Sequence, residues 1–374
     1  MRWIVLSLLI LNHQAWSQSS ELAISDPLQY VSQLETQVAT SSSDLSLAQL
    51  KSQLKEKRVI HVGEIHPRYS DHLIQLAMLQ SLHQHSPNVA IGVEWFQQPF
   101  QPWLDAYILG RIDEAELLHQ TQYYQRWRVD FRLLRPILQY ARQHQLRILA
   151  LNAPAELTRQ VSSLGRQSLS MEQLANLPKI HPPGAEQHQR LSRIFEDKIP
   201  ADREIEDFIF AQRIWDETMA RNAVDFLKQN PDHKLVIFAG NFHLAYQAAI
   251  PEDMARQIPQ LKEQQVTISS GSFEDYEPGA FDYFVFTDPI ELPRHARLGA
   301  RLNTQNACIE SIEPDSAAEK TGLMVGDCLI KFNETRLSHY ADLILKLSET
   351  PAESSAKLTL KRQKETIQVE IQFN

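Results

Sequence analysis

The chain is poor in cysteine. Of its 374 residues only Cys308 and Cys328 carry a thiol, so no more than one disulfide is available. Each sits in an apolar strand pattern, which suits two buried free thiols; an oxidising compartment would also permit them to pair. An excess of positive charge is missing as well. The formal net charge of −9 argues against a general nucleic-acid binder, which needs a basic face. There is no HExxH, so the usual helix-borne zinc peptidase motif is absent. The N-terminal apolar run, Ile4 to Leu11, is too short to span a bilayer as a helix, and no transmembrane helix is expected in the mature chain.

That run reads instead as part of a secretory signal over residues 1–17. Arg2 supplies the positive n-region, and Ala15-Trp16-Ser17 puts small residues before a cut at Gln18. No lipobox cysteine stands near this junction. The expectation is an exported protein, periplasmic or extracellular. Residues 18–44 are polar and serine-rich and read as a tether with at most one short helix.

From residue 45 apolar runs alternate with helical patterns. Arg58–His66, Val89–Val93, Arg147–Leu151, Leu235–Ala239, Val266–Ser269 and Tyr283–Phe286 read as buried strands. Ser70–His83, Phe131–Gln145 and Asp202–Lys228 read as the longer helices between them. Residues 155–200 read as a helical insertion, with an exposed loop over Lys179–His188. This order predicts an α/β domain over 45–293, a mostly parallel sheet flanked by helices. Beyond residue 293 short strands and turn signals predict a separate small β-rich domain over 294–374.

The strand ends carry the chemistry. RVIHV runs into Gly63-Glu64-Ile65-His66, and LVIFA into Gly240-Asn241-Phe242-His243. Gly63 is expected to break its strand where the chain turns. Glu64 with His66, Glu94, Asn152 and His243 follow four different strands, and in a parallel sheet those ends share one edge. Two histidines with two carboxylates make a site for a divalent transition metal that activates water. The same groups without metal can do acid–base chemistry. Singly, each also reads as a hydrogen-bonded structural residue.

The C-terminal part resembles a PDZ domain of the bacterial type, on Pro314-Asp315-Ser316-Ala317-Ala318-Glu319-Lys320-Thr321-Gly322-Leu323 and Val325-Gly326-Asp327-Cys328-Leu329-Ile330. The resemblance puts the carboxylate-binding loop at Leu298, Gly299, Ala300 and Arg301. It implies a partner's C-terminus or an extended peptide added as a strand to a sheet edge.

Residues from about 45 to 290 resemble the ChaN family of haem-binding proteins, within the wider Tiki/TraB/erythromycin-esterase-like superfamily. The resemblance rests on GEIH at 63–66, GVEWF at 92–96, WRVDFRLLRPILQYAR at 127–142, ALNAP at 150–154, QRIWDETMA at 212–220 and GNFH at 240–243. It implies haem as cofactor, a role in haem or iron uptake, and a homodimer that sandwiches haem. Binding would be noncovalent, because no CxxCH exists. By residue type Tyr246, Tyr123 and Tyr124 are axial-ligand candidates, since a phenolate suits ferric iron, and histidine is another. Trp127, Trp95 and Phe96 can stack on a porphyrin, Arg126 or Arg128 can meet a propionate, and Asn152 joins the cofactor-binding set. Singly, each aromatic also reads as core packing.

Three functions remain open on the sequence. The first is a haem-binding protein of iron uptake whose PDZ domain recruits a partner, and it is not an enzyme. The second is a metal-dependent hydrolase or peptidase using Glu64, His66, Glu94 and His243. The third is a non-catalytic periplasmic adaptor.

Overall fold

The computed structural model describes residues 26–34, 36–40, 44–195, 199 and 203–373. The expected signal peptide lies outside the described residues. The residues read as a tether are, where described, part of the fold. Asp26 caps helix α1 (Pro27–Ser32), accepting from the Leu28 amide, and Val31 is fully buried. Strands β1 (Gln37–Ala39) and β2 (Asp44–Ser46) form an antiparallel hairpin that pairs with a strand nearly 250 residues away. Polar composition hid this because only Val31 and Val38 point inward with no exposure.

Next come α2 (Leu47–Gln53), β3 (Val59–Glu64), α3 (Tyr69–His85), β4 (Val89–Gln97), α4 (Gln101–Ile108) and α5 (Glu114–Gln120). One helical turn, α6 (Tyr123–Arg126), precedes α7 (Phe131–Gln143) and β5 (Ile148–Asn152). The insertion carries α8 (Ala155–Leu164), α9 (Met171–Asn176) and α10 (Ala185–Phe195), all packed on the long α11 (Ile205–Gln229). Then follow β6 (Lys234–Gly240), α12 (Ile250–Gln257), α13 (Leu261–Gln264), β7 (Gln265–Gly271) and β8 (Tyr283–Phe286).

These strands make one eight-stranded sheet, ordered β2-β1-β8-β7-β3-β6-β4-β5. From β8 to β5 every pairing is parallel. Side chains alternate between two cores. Ile60, Val62, Ile91, Val93, Val236 and Phe238 face α3 and α7, while Val59, Ala90, Leu235, Ile237 and Ala239 face α11 and α12. Both faces are covered, which is why these strands read as continuous apolar runs. The chain enters at β3 near the middle and later returns as β6 beside it. The carboxyl ends of β3, β6 and β4 therefore meet at the point where strand order reverses, where such sheets collect ligands.

The C-terminal domain holds β9 (Ala300–Leu302), β10 (Ile309–Ile312), α14 (Ala317–Lys320), β11 (Cys328–Phe332), β12 (Thr335–Arg336), α15 (Tyr340–Glu349), β13 (Ser355–Arg362) and β14 (Glu365–Gln372). Its core gathers Leu298, Ile309, Leu329, Leu343, Leu347, Leu358, Leu360 and Ile371. Cys308 and Cys328 are half-buried and disulfide-bonded, not two buried free thiols. The two residues face each other as an isolated antiparallel bridge between neighbouring segments, a relation that residue spacing does not reveal.

The two domains share a packed seam. Ala341 and Leu345 leave their own domain's core and join that of the α/β domain. Arg135 spans the seam, bonding Glu114 and Glu349 at 2.7 Å each, and His339 stacks on His119 at 3.7 Å.

Candidate functional site

Glu64 and Gly240 are register partners on β3 and β6. Gly63 does not break its strand, as the sequence suggested, whereas Gly240 closes β6 just before a turn. Gly63 lies inside β3, where a Cβ would come within 2.0 Å of Asn241 Oδ1, so the residue is there for close approach. At Gly240 a Cβ would meet His66 Cε1 at 3.0 Å and Glu94 Oε2 at 3.6 Å. His66, Glu94 and the start of the GNFH turn are thus drawn together over one small residue.

Glu64 is buried and fully engaged. It accepts from Gln75 Nε2 at 2.7 Å and from Trp95 Nε1 at 3.1 Å, and faces His66 Nδ1 at 2.8 Å. Oriented this way, the His66 ring leaves Nε2 with no partner among the described residues, on the side that lies over Gly240, in a side chain 37% exposed. Burial works to lower the His66 pKa, but the Glu64 and Glu94 carboxylates outweigh it and hold it above the usual value.

The second pair is internal. Glu94 accepts from the Gly240 amide at 2.7 Å and lies 3.3 Å from His243 Nε2. The other ring nitrogen of His243 meets Asp216 Oδ1 at 2.5 Å. Burial opposes a charge here, yet Glu94 and Asp216 raise the His243 pKa to about 10. Burial likewise opposes ionisation of Glu94, and His243 with His66 still brings it down to about 2. His243 thus lies between two carboxylates with both ring nitrogens engaged, an environment that favours its protonated form. Asp216 is itself held by Arg213, a guanidinium 2% exposed that also bonds Asp253 and Glu217.

The four residues expected as a metal site thus converge but pair with one another. Among the described residues no group of three or more His, Cys, Asp or Glu is arranged to hold a metal ion. Asp216, Arg213 and Glu217 were not predicted as site residues. Their signal was three charges at helical spacing on the apolar face of α11, where a solvated residue has no place.

The other candidates scatter. Asn152 donates to the Glu94 carbonyl and accepts from the Ala153 amide, so it holds backbone and not a cofactor. Tyr123 lies in the core against Phe96 and Phe131, and burial raises its pKa well above the ordinary phenol value. Tyr124 is buried at the seam against Tyr340. Tyr246 does sit at the turn after β6, but its hydroxyl is bonded to Glu277 and its ring lies under Arg190. None of the three offers a free phenol to the edge. Trp127 packs edge-on against His66, 4.7 Å between centroids. Arg128 is exposed, with only its Nε engaged, on the Gln125 carbonyl. Arg126 is bound to Gln97 and Glu156. In the C-terminal domain Leu298 is buried, Gly299 has φ +68 with Ser316 against it, and Arg301 is exposed beside Glu310.

On the same edge a cavity of about 310 Å³ lies under the insertion, lined by Gln98, Pro154, Leu157, Leu177, Thr218 and Arg221.

Comparison with known proteins agrees with this layout. Residues 50–254 match the model of the family described as haem-binding uptake, Tiki superfamily, ChaN, and residues 296–373 match a PDZ domain. No curated protein matches the chain. The ChaN protein of Campylobacter jejuni, solved with cofacial heme bound, is 16% identical, with a TM-score of 0.54 over 68% of this chain and 97% of its own. That likeness shows the fold. An erythromycin esterase in its open conformation aligns at 14% identity over 65% of this chain and 78% of its own, with a TM-score of 0.38. The PDZ domain of HtrA3 aligns at 18% identity over 22% of this chain and 86% of its own, with a TM-score of 0.20. A family model spanning more than half of the sequence, on a sheet whose edge carries that model's GEIH and GNFH segments, makes the chain a member of the ChaN family of the Tiki superfamily, with a PDZ domain behind it.

Proposed function

We propose that this protein binds haem noncovalently at the carboxyl edge of its parallel sheet and serves haem or iron uptake outside the cytoplasm. The observation that carries the reading is His66. Its Nδ1 is fixed on Glu64, which sets the ring and makes Nε2 a better donor, as second-shell carboxylates do for metal-bound histidine. Nε2 has no partner among the described residues, and Trp127 packs edge-on against the ring. Arg128 supplies an unpaired cation for a propionate. The residues present fit the group. Haem would supply a ferric centre and its redox chemistry; the chain supplies one donor, an apolar rest and a counter-charge. Because the donor stands on an open edge, one haem face stays uncovered, and a second copy of the chain is the natural cover.

Export is supported by the leader-like N-terminus and by the Cys308–Cys328 bond, which suits an oxidising compartment. The mature protein recovered from the exported fraction is expected to begin at Gln18. An unprocessed Met1 in that fraction would refute the leader.

The haem reading is tested by titrating the purified protein with haemin while assaying bound metals on the same sample. A Soret shift that saturates at fixed stoichiometry, and is lost in His66→Ala, is expected. Saturation kept in His66→Ala and lost in Tyr246→Phe would move the ligand to Tyr246. No saturable shift would overturn the reading.

A second reading is favoured by the same residues. His66 is a carboxylate-oriented imidazole with a nitrogen unpartnered among the described residues, and a cavity of small-molecule size opens elsewhere on the same sheet edge. That is an arrangement for general-base attack of water on an ester or amide by His66. Hydrolysis of a p-nitrophenyl ester that survives EDTA and disappears in His66→Asn would establish it. A rate unchanged in that variant would remove it.

A further inference from the structure

The α6 turn is a wall common to two sites. On one side, Trp127 at its end packs against His66. On the other, Gln125 Nε2 donates to Thr304 Oγ1 at 3.1 Å, and the Tyr124 ring meets Tyr340 at 5.4 Å. Thr304 lies two residues past the end of β9, and Tyr340 is the first residue of α15.

Those two elements flank the groove in which the C-terminal domain would take a peptide. Among the described residues β9 pairs only with β10, which leaves its other edge open. α15 runs the opposite way to β9. Its carboxyl end, at Thr350, accepts from the Ala296 amide just before the Leu298-Gly299 loop, while its amino end meets α6 together with Thr304. One end of the groove is therefore the carboxylate loop, and the other is closed by α6. A tail with its carboxylate at Gly299 runs antiparallel to β9. At about 3.4 Å per residue, roughly five residues carry it to Thr304. There it meets the α/β domain.

Two features mark α6 as a surface that yields to such a chain. It is bounded by non-glycine residues with left-handed backbone, Gln122 at φ 53 and Arg128 at φ 65. The hydroxyls of Tyr123 and Tyr124 and the indole nitrogen of Trp127 are buried there without hydrogen-bond partners, so the segment has bonding capacity to gain by rearranging. Arg128, exposed with its terminal nitrogens unpaired, adds a charge that selects the visitor.

We propose that a partner's C-terminal tail seated between β9 and α15 leaves the groove across Tyr124–Arg128, so that its upstream residues lie on the α/β domain beside Trp127 and an acidic one among them pairs with Arg128. The partner is thus a protein with a free carboxyl terminus, about five groove-bound residues, and an acidic segment immediately before them. The groove delivers that segment to the edge that carries His66. The proposal rests on peptide binding by the PDZ domain and not on haem.

The test uses the full chain. Binders are selected from a random peptide library with free C-termini, and a selected decapeptide is remade with benzophenone at the sixth residue from its end. Photo-cross-links on residues 124–128 are expected. Arg128→Gln should weaken decapeptides that carry Glu or Asp at that position by roughly two- to fivefold, and leave their C-terminal pentapeptides unchanged. Cross-links confined to 294–373, or on a distant surface, would overturn the proposal while leaving peptide binding intact. Failure to select any binder would overturn both.

Discussion

A methyl group is the smallest probe of how tightly the edge is assembled. At Gly240 an alanine Cβ would press the His66 ring at 3.0 Å, and at Gly63 it would collide with the Asn241 amide oxygen, itself bonded to Ser269. Gly63→Ala is expected to cost about 1–3 kcal/mol, the usual penalty of overpacking, read by urea denaturation. Gly240→Ala should alter the haemin titration more than stability, because a mobile ring can move. The buried pair allows a sharper statement. The His243 pKa stands above its unfolded value of 6.5, so its stabilisation is full below 6.5 and fades as pH rises towards about 10. Glu94 stands below its unfolded value of 4.5, so its stabilisation is full above 4.5 and fades as pH falls towards about 2. His243→Gln should cost about 3 kcal/mol at pH 6 and abolish the decline between pH 6.5 and 10. An unchanged alkaline limb in the variant would show that His243 is not the titrating group.

Among the elements, those that sit in the middle of the sheet were readable because burial on both faces writes itself as an apolar run. β3, β5 and β6 begin within one residue of where the periodicity places them. The elements that escaped are the ones whose pairing is remote. β1 and β2 are only three residues each, and it is the pairing of β1 with distant β8, and of β2 with β1, that makes strands of them. The site was half legible for the same reason. Glu64, His66, Glu94 and His243 announce themselves by following strands, whereas Asp216 and Arg213 lie inside a helix and acquire meaning only from what that helix is laid against. The loop expected to be exposed over Lys179–His188 is clamped to α11, its His181 facing Glu217 at 2.8 Å and accepting from Arg213 through its carbonyl. The disulfide is another remote pairing. It closes a segment of 20 residues, for which chain entropy predicts about 3 kcal/mol. Cys308→Ser with Cys328→Ser should lower the unfolding free energy of the C-terminal domain by that amount and leave the α/β domain's unfolding in place.

At the scale of the molecule, the seam decides whether the two domains act together. His119 and His339 stack across it, with Glu116 and Asp342 as the nearby carboxylates. Burial and the neighbouring His339 lower the pKa of His119, so the packed seam disfavours a proton on that ring. The contribution of His119 is present near neutrality and lost as pH falls through and below 6.5. Small-angle scattering or limited proteolysis of the 287–296 linker should report a looser pair of domains at pH 5 than at pH 7.5, and His119→Gln should remove the difference. The hairpin of β1 and β2 also has a practical meaning. A version of the protein trimmed to begin at Leu45, the boundary that polarity alone suggests, would strip β8 of its outer neighbour and bare the backbone edge of Tyr283-Phe284-Val285-Phe286. Such an edge is sticky, so the trimmed protein should come off a sizing column as aggregate while one begun at Gln18 elutes cleanly.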